Sequence, residues 1–156
     1  MLQISIPGVG VLRVEHLVLD FNGTLAVDGA LLEGVRERLS RLAQDLRIHV
    51  VTADTFGRAG QELEGLPCEL AVLKREGQAQ AKYAYVESLG ASVTACVGNG
   101  RNDRLMVEAA ALGVAVVQGE GAAGATVAAA DVVAPDVRAA LDLLLEPMRL
   151  VATLRD

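Results

Sequence analysis

Four short stretches hold residue types that could do chemistry, and three of them follow an apolar run. Asp20-Phe21-Asn22-Gly23-Thr24-Leu25 sets a carboxylate after His16-Leu17-Val18-Leu19, with a turn that directs backbone N–H groups toward it; the same residues also fit a plain hairpin turn. Val50-Val51-Thr52-Ala53-Asp54 ends a second run in a hydroxyl that can bind a phosphate oxygen or cap the next helix. Lys82 shares a helical face with Tyr85, Val86 and Leu89, where an ammonium either finds a partner or reaches past its stem to water. Lysine is used only twice among 14 basic residues, and Lys74, the other one, leads into Arg75-Glu76-Gly77, the pattern of a solvated loop. The fourth stretch is Gly98-Asn99-Gly100-Arg101-Asn102-Asp103. A glycine-rich loop from strand to helix is a ready anion or metal site, and its Asp103 could face Asp20, although Asn102 or Asp103 could equally serve as a cap.

The elements that must position these residues are legible from periodicity. Leu2 onward reads as a strand, a Pro7-Gly8-Val9-Gly10 turn, a second strand at 11–14, then the apolar run ending at Asp20. Leu31, Val35, Leu39, Leu42 and Leu46 recur at helical spacing. Strands at 48–51, 70–73, 93–97, 114–117 and 132–133 then alternate with helices at 59–66, 78–89, 103–112, 122–130 and from Pro135 onward. Strict alternation predicts an α/β fold with a doubly covered parallel sheet in one domain, 1–156. Ligands of such sheets bind at the carboxyl ends of the strands, where Asp20, Thr52, Lys74 and the loop from Gly98 all fall.

Composition narrows the function classes. Apolar residues make up 52% of the 156 and aromatics 3%, so the core is built from Val, Leu, Ala and Ile. A net charge of −6 without a basic cluster argues against nucleic acid. No apolar run approaches the ~20 residues of a membrane helix, and the expected setting is cytoplasmic. Cys68 and Cys96 lie in apolar runs and form no CxxC, which fits buried reduced thiols.

Taken in order on one sheet edge, the four stretches resemble the signature of the haloacid-dehalogenase-like (HAD) superfamily of phosphoryl-transfer enzymes. Within it, Thr52-Ala53-Asp54 and the Lys82, Val86, Leu89 helix look like the phosphorylation domain of P-type ATPases. The resemblance runs from about Val14 to about Leu145 and favours Lys82 over Lys74. It implies a three-layer, doubly wound Rossmannoid sheet, here with an N-terminal β-hairpin and no cap domain. It further implies catalytic roles for Asp20, as nucleophile forming an aspartyl-phosphate, and for Thr52 and Lys82. Phosphate binding is implied for Asn22, Gly23, Thr52, Ala53 and Lys82. Mg²⁺ is the implied cofactor, with Asp20, Asn22 through its carbonyl, Asn99 and Asp103 as ligands. Such chemistry needs in-line positioning and cancellation of charge.

Two residues depart from that pattern. Asn22 stands where soluble phosphatases of the family carry an acid–base Asp, and an amide cannot transfer that proton, at a typical cost of ~10²–10⁴ in rate. Asn99 stands where a metal-binding Asp is usual. The expectation is a slow phosphohydrolase biased to good leaving groups, acting on a phosphorylated small molecule or phosphoprotein. The alternative is a catalytically impaired phosphate- or partner-binding regulatory domain. A phosphoacceptor receiver domain is disfavoured because its acceptor follows an earlier acidic strand, whereas here the acceptor comes first. With 31 residues between Asp20 and Thr52 and 29 between Thr52 and Lys82, no substrate-selecting cap fits. A homo-oligomer is one way to cover such a site, and the 147–156 tail is either that contact or a helix packed on its own domain. Both departing residues precede glycine, so deamidation would write Asp at both positions.

Overall fold

A computed structural model describes residues 1–53 and 57–156 of the chain. β1 (Leu2–Ile6) and β2 (Gly10–Val14) form an antiparallel hairpin pairing Leu2 with Val14. β3 (His16–Asp20) follows at once and lies near the middle of a six-stranded parallel sheet. With β6 (Arg47–Thr52), β7 (Glu69–Val72), β8 (Thr94–Gly98), β9 (Leu112–Val116) and β10 (Val132–Ala134), the sheet order is β10-β9-β8-β3-β6-β7. The chain winds outward in both directions from β3, so β3 and β8 sit at the reversal where open α/β sheets form a crevice. A small antiparallel pair, β4 (Ala26–Val27) with β5 (Ala30–Leu31), follows the turn after β3. Among the described residues no helix is long and apolar enough to cross a membrane.

Strand alternation divides the interior in two. Leu17, Leu19, Ile48, Val50, Ala95 and Val97 join the larger core under α1 (Val35–Leu42), α6 (Val137–Leu145) and α7 (Pro147–Leu154). Val18, Val51 and Cys96 face the other way and pack with Val86 of α3 (Gln78–Leu89) and with Met106 and Val107 of α4 (Arg104–Ala109). Asp20 follows Val18 by two residues on that second face, which is therefore the polar one.

The doubly wound sheet and N-terminal hairpin match the sequence reading, with differences at particular elements. Leu31 belongs to β5 and not to the helix of Val35 and Leu39, because Asp28-Gly29, both at positive φ (53° and 80°), turns the chain back as a hairpin. The second helix is only α2 (Arg58–Glu62), closing in a turn through Leu63. α4 begins at Arg104 after one 3₁₀ turn and ends at Ala109, where β9 starts early. There Gly113 runs so close to the Val107 carbonyl that a β-carbon would overlap it. α5 is Gly124–Ala129. The last helix is two, broken at Glu146 with Pro147 opening α7. Leu150 is buried and Asp156 N donates to the Pro7 carbonyl at 3.2 Å, so the C-terminal tail packs on its own chain.

Candidate active site

The carboxyl ends of β3, β6 and β8, together with one face of α3, converge on Lys82. Its side chain is buried along its length, 1% exposed, and its Nζ donates to Asp20 Oδ1 and to Asp103 Oδ1, each at 2.6 Å. Asp103, fully buried, accepts with its other oxygen from the backbone N–H of Asn99 (2.9 Å) and Gly100 (2.8 Å). Gly98 makes that inward fold possible, since a β-carbon there would overlap the Asp103 side chain. The loop is pinned to α3 by Asn102 Nδ2 donating to Gln78 Oε1 at 2.7 Å.

One ammonium thus serves two buried carboxylates. Burial, and then the charge of Asp103, push the Asp20 carboxyl up to about 7, against the opposing pull of Lys82 and Thr24. Burial opposes the Lys82 ammonium, but Asp20 and Asp103 outweigh it and hold its pKa above the ordinary value. An ion pair alone would lower its acid, and the rise at Asp20 reflects burial first and the second carboxylate sharing one cation next. A second cation facing Asp20 and Asp103 would relieve that excess. Carboxylate and carbonyl oxygens are the donor set a hard ion such as Mg²⁺ takes, so these residues fit the ion. Among the described residues no group of three His, Cys, Asp or Glu could hold a metal ion by itself.

The turn after Asp20 is tightly specified. Gly23 N donates to the Ala26 carbonyl at 2.7 Å and Ala26 N to the Phe21 carbonyl at 3.0 Å. Gly23 has φ +83°, and a β-carbon there would overlap the Asn99 amide. Thr24, buried, lies with its hydroxyl 3.1 Å from Asp20 Oδ2 and 3.2 Å from Asn99 Oδ1. Asn22 is exposed in the turn. Thr52 is buried at the end of β6, one residue beyond the Val51 that pairs with Asp20, and half-buried Ala53 follows it. Asp54 lies outside the described residues. Lys74 is exposed.

Two participants escaped the sequence reading. Thr24 was visible only as part of the turn. Gln118, just past β9, donates from Nε2 to the carbonyls of Gly23 (3.0 Å) and Thr24 (2.6 Å), while its Oε1 accepts from Val137 N at the start of α6 (2.9 Å). Nothing local to Gln118 announces a contact made across more than ninety residues; only its place at a strand's carboxyl end does.

No family model matches the chain. Two proteins of Methanocaldococcus jannaschii are similar in sequence: the uncharacterized MJ0073 is 48% identical over 60 residues, 38% of this chain and 64% of that protein. The uncharacterized MJ0072 is 49% identical over 39 residues, 25% of this chain and 89% of that protein. The chain thus spans a little under two thirds of MJ0073. Among solved structures, a HAD family hydrolase from Streptomyces avermitilis superposes with TM-score 0.69 at 19% identity, covering 87% of each chain. The 3-deoxy-D-manno-octulosonate 8-phosphate phosphatase of Moraxella catarrhalis, solved with magnesium, phosphate and its sugar, gives 0.68 at 17% identity over 92% and 95%. A Vibrio cholerae structure described as the same phosphatase gives 0.70 at 16% identity over 99% and 98%. At these identities the likeness is one of fold, and the fold is that of HAD hydrolases.

Proposed function

The chain belongs to one family with MJ0072 and carries the HAD-hydrolase fold, and on those premises we propose that it is a Mg²⁺-dependent phosphohydrolase working through an aspartyl-phosphate on Asp20. The observation that carries the reading is the buried junction at the end of β3, where Lys82 joins Asp20 to Asp103 at 2.6 Å on either side. Asp20, Asp103 and the Asn22 carbonyl would hold the ion, which when bound neutralises charge on the phosphoryl oxygens. Thr52, Ala53, Gly23 and Lys82 would receive the phosphoryl group, and its substrate would be a phosphorylated small molecule or phosphoprotein.

A carboxylate oxygen of Asp20 attacks phosphorus in line, and the bond to the leaving oxygen breaks with its electron pair on that oxygen. Asn22 has no proton to give, so the leaving group takes one from solvent or departs as a stable anion. Water then attacks the phosphorus of the aspartyl-phosphate, loses its proton to solvent, and releases phosphate with the Asp20 carboxylate restored. The reading includes the kinship with the P-type phosphorylation domain, in which the covalent intermediate outlasts its formation.

Freshly prepared protein should turn over acetyl phosphate or an aryl phosphate with Mg²⁺, and acid quenching should trap a phosphate adduct on Asp20. Asp20→Asn should abolish both. Asn22→Asp should raise turnover by about 10²-fold or more, the usual worth of acid–base help. Intact mass of the same preparation checks that deamidation at Asn22 or Asn99 is not the source of activity. An inert wild type with an active Asn22→Asp would make the chain a phosphate-binding or regulatory domain instead.

A further inference from the structure

Asn99 holds a position that the resemblance assigns to the metal, yet its side chain is committed elsewhere. Nδ2 donates to the Gly121 carbonyl at 3.1 Å while Oδ1 faces the Thr24 hydroxyl at 3.2 Å. The orientation is dictated by chemistry, since a backbone carbonyl only accepts and the atom facing it must be the nitrogen. The backbone carbonyl of Asn99 also accepts from Ala123 N at 2.8 Å, so residue 99 holds the loop after β9 at two points. Gln118 grips from the other side, its NH₂ on the carbonyls of Gly23 and Thr24 and its oxygen on Val137 N. Two side-chain amides therefore enclose the turn beside Asp20, and both depend on an NH₂ donor that a carboxylate lacks.

Thr24 has one hydroxyl proton and two acceptors within reach, Asp20 Oδ2 and Asn99 Oδ1. A neutral amide oxygen competes weakly with a carboxylate, so the proton stays with Asp20. A carboxylate at position 99 would compete on equal terms and would set an unpaired oxygen against the Gly121 carbonyl. The missing β-carbon of Gly23 gives the Asn99 amide the space it fills.

We propose that Asn99 and Gln118 are positioning residues, an amide brace that fixes the Gly23-Thr24 turn against the loop after β9 and aims the Thr24 hydroxyl at Asp20; Asn99 is then not a metal ligand. The rate arm of the test rests on the phosphohydrolase reading, and the exchange arm does not.

Asn99→Asp and Gln118→Glu keep side-chain shape while exchanging the NH₂ donor for a charged acceptor oxygen, and Gln118→Met, which removes the donor without adding charge, should match Gln118→Glu if the donor is what matters. In metal-free protein, hydrogen exchange over 21–26 should quicken about tenfold or more in all three, and over 121–123 in Asn99→Asp. With aryl phosphate, kcat should fall about tenfold to a hundredfold, the usual loss when a supporting contact is removed, while KM and the Mg²⁺ concentration for half-maximal rate stay put. Thr24→Val should reproduce that loss, and adding Asn99→Asp to it should cost little more, because the brace acts through the hydroxyl. If Asn99→Asp is faster and needs less Mg²⁺ with exchange unchanged, Asn99 is a ligand and the brace is wrong. Full additivity with Thr24→Val would also overturn it. A wild type without turnover would end the phosphohydrolase reading alone, and exchange would still decide the brace.

Discussion

Lys82 is the residue on which the site's electrostatics turn. Its 2.6 Å contacts to Asp20 and Asp103 lie where water scarcely reaches, so neither carboxylate has another cation in the described structure. Removing one partner of a buried ion pair strands the rest, at a typical cost of about 3–5 kcal/mol, whereas replacing the whole group by neutral residues of similar shape is often neutral. Lys82→Met should therefore lower the urea-unfolding free energy of metal-free protein by about that amount. The triple change with Asp20→Asn and Asp103→Asn should recover most of it. A Lys82→Met protein as stable as wild type would mean that the carboxylates do not depend on the ammonium. Mg²⁺ should stabilise Lys82→Met more than wild type, because it supplies the charge the variant lacks.

Helix α6 shows how an element far from the chemistry supports the crevice. Its N-cap, Asp136, accepts from Ala139 N at 2.9 Å, and its flank is tied to α1 by Arg38, which donates to both carboxylate oxygens of Asp142 at 2.7 and 3.1 Å. The same helix start gives Val137 N to Gln118, so the cap, the helix and the turn beside Asp20 are in series. Asp136→Ala should cost about 1 kcal/mol, the usual worth of a cap. The Ala139 N–H is the first cause that lowers the Asp136 carboxyl below the ordinary carboxylate range. Its contribution is accordingly present above about pH 4, the unfolded carboxylate range, and is lost as pH falls through the lower folded value. Stability curves of wild type and variant should converge in acid; a constant gap would assign the loss to something other than the charged cap. Elements of this kind were legible where one period ran uninterrupted, as in α3, whose bounds follow from Gln78 to Leu89. They are ambiguous where two signals compete. Leu31 fits the helical spacing of Val35 and Leu39, and only the Asp28-Gly29 turn reveals the β4–β5 hairpin. Asp20 is legible because it ends an apolar strand, Lys82 because it interrupts an apolar helix face, and Asp103 because it closes a glycine-rich loop into a helix, with the family resemblance choosing Lys82 over Lys74. Gln118 could not, because its partners lie on another loop and its residue type is ordinary for a surface.

Across the whole molecule the two faces of the sheet are unequal. The face under α1, α6 and α7 is continuous hydrocarbon, while the α3 face carries only a small apolar cluster between the Lys82 site and a row of polar side chains. That row holds both histidines of the chain: His16 Nδ1 lies 3.0 Å from His49 Nε2, and His49 Nδ1 lies 3.0 Å from the Tyr85 hydroxyl. It joins β3, β6 and α3, and Tyr85 stands one helical turn beyond Lys82, so the row anchors the helix that delivers the lysine. Burial is the first cause that lowers the His49 pKa; Glu69 on β7, 3.6 Å away and largely solvated, pulls it upward, and His16 and Arg47 push it further down. The unfolded state then binds a proton that the folded state refuses, so stability is complete above about pH 6.5, the unfolded value, and is lost as pH falls through it toward the folded value. Measured from pH 8 to 5.5, the stability advantage of wild type over His49→Gln should shrink as pH falls, while Asp20, whose carboxyl is pushed up to about 7, adds a slope of the opposite sign that both proteins share; His49→Gln is the less stable at pH 8 because Tyr85 and His16 lose a ring partner. Hydrogen exchange should show α3 loosening before β3 as pH drops, because the thin apolar cluster beneath that helix has little else to hold it. Parallel profiles for wild type and variant would place the acid sensitivity elsewhere and leave the histidine row a structural tie without linkage to pH.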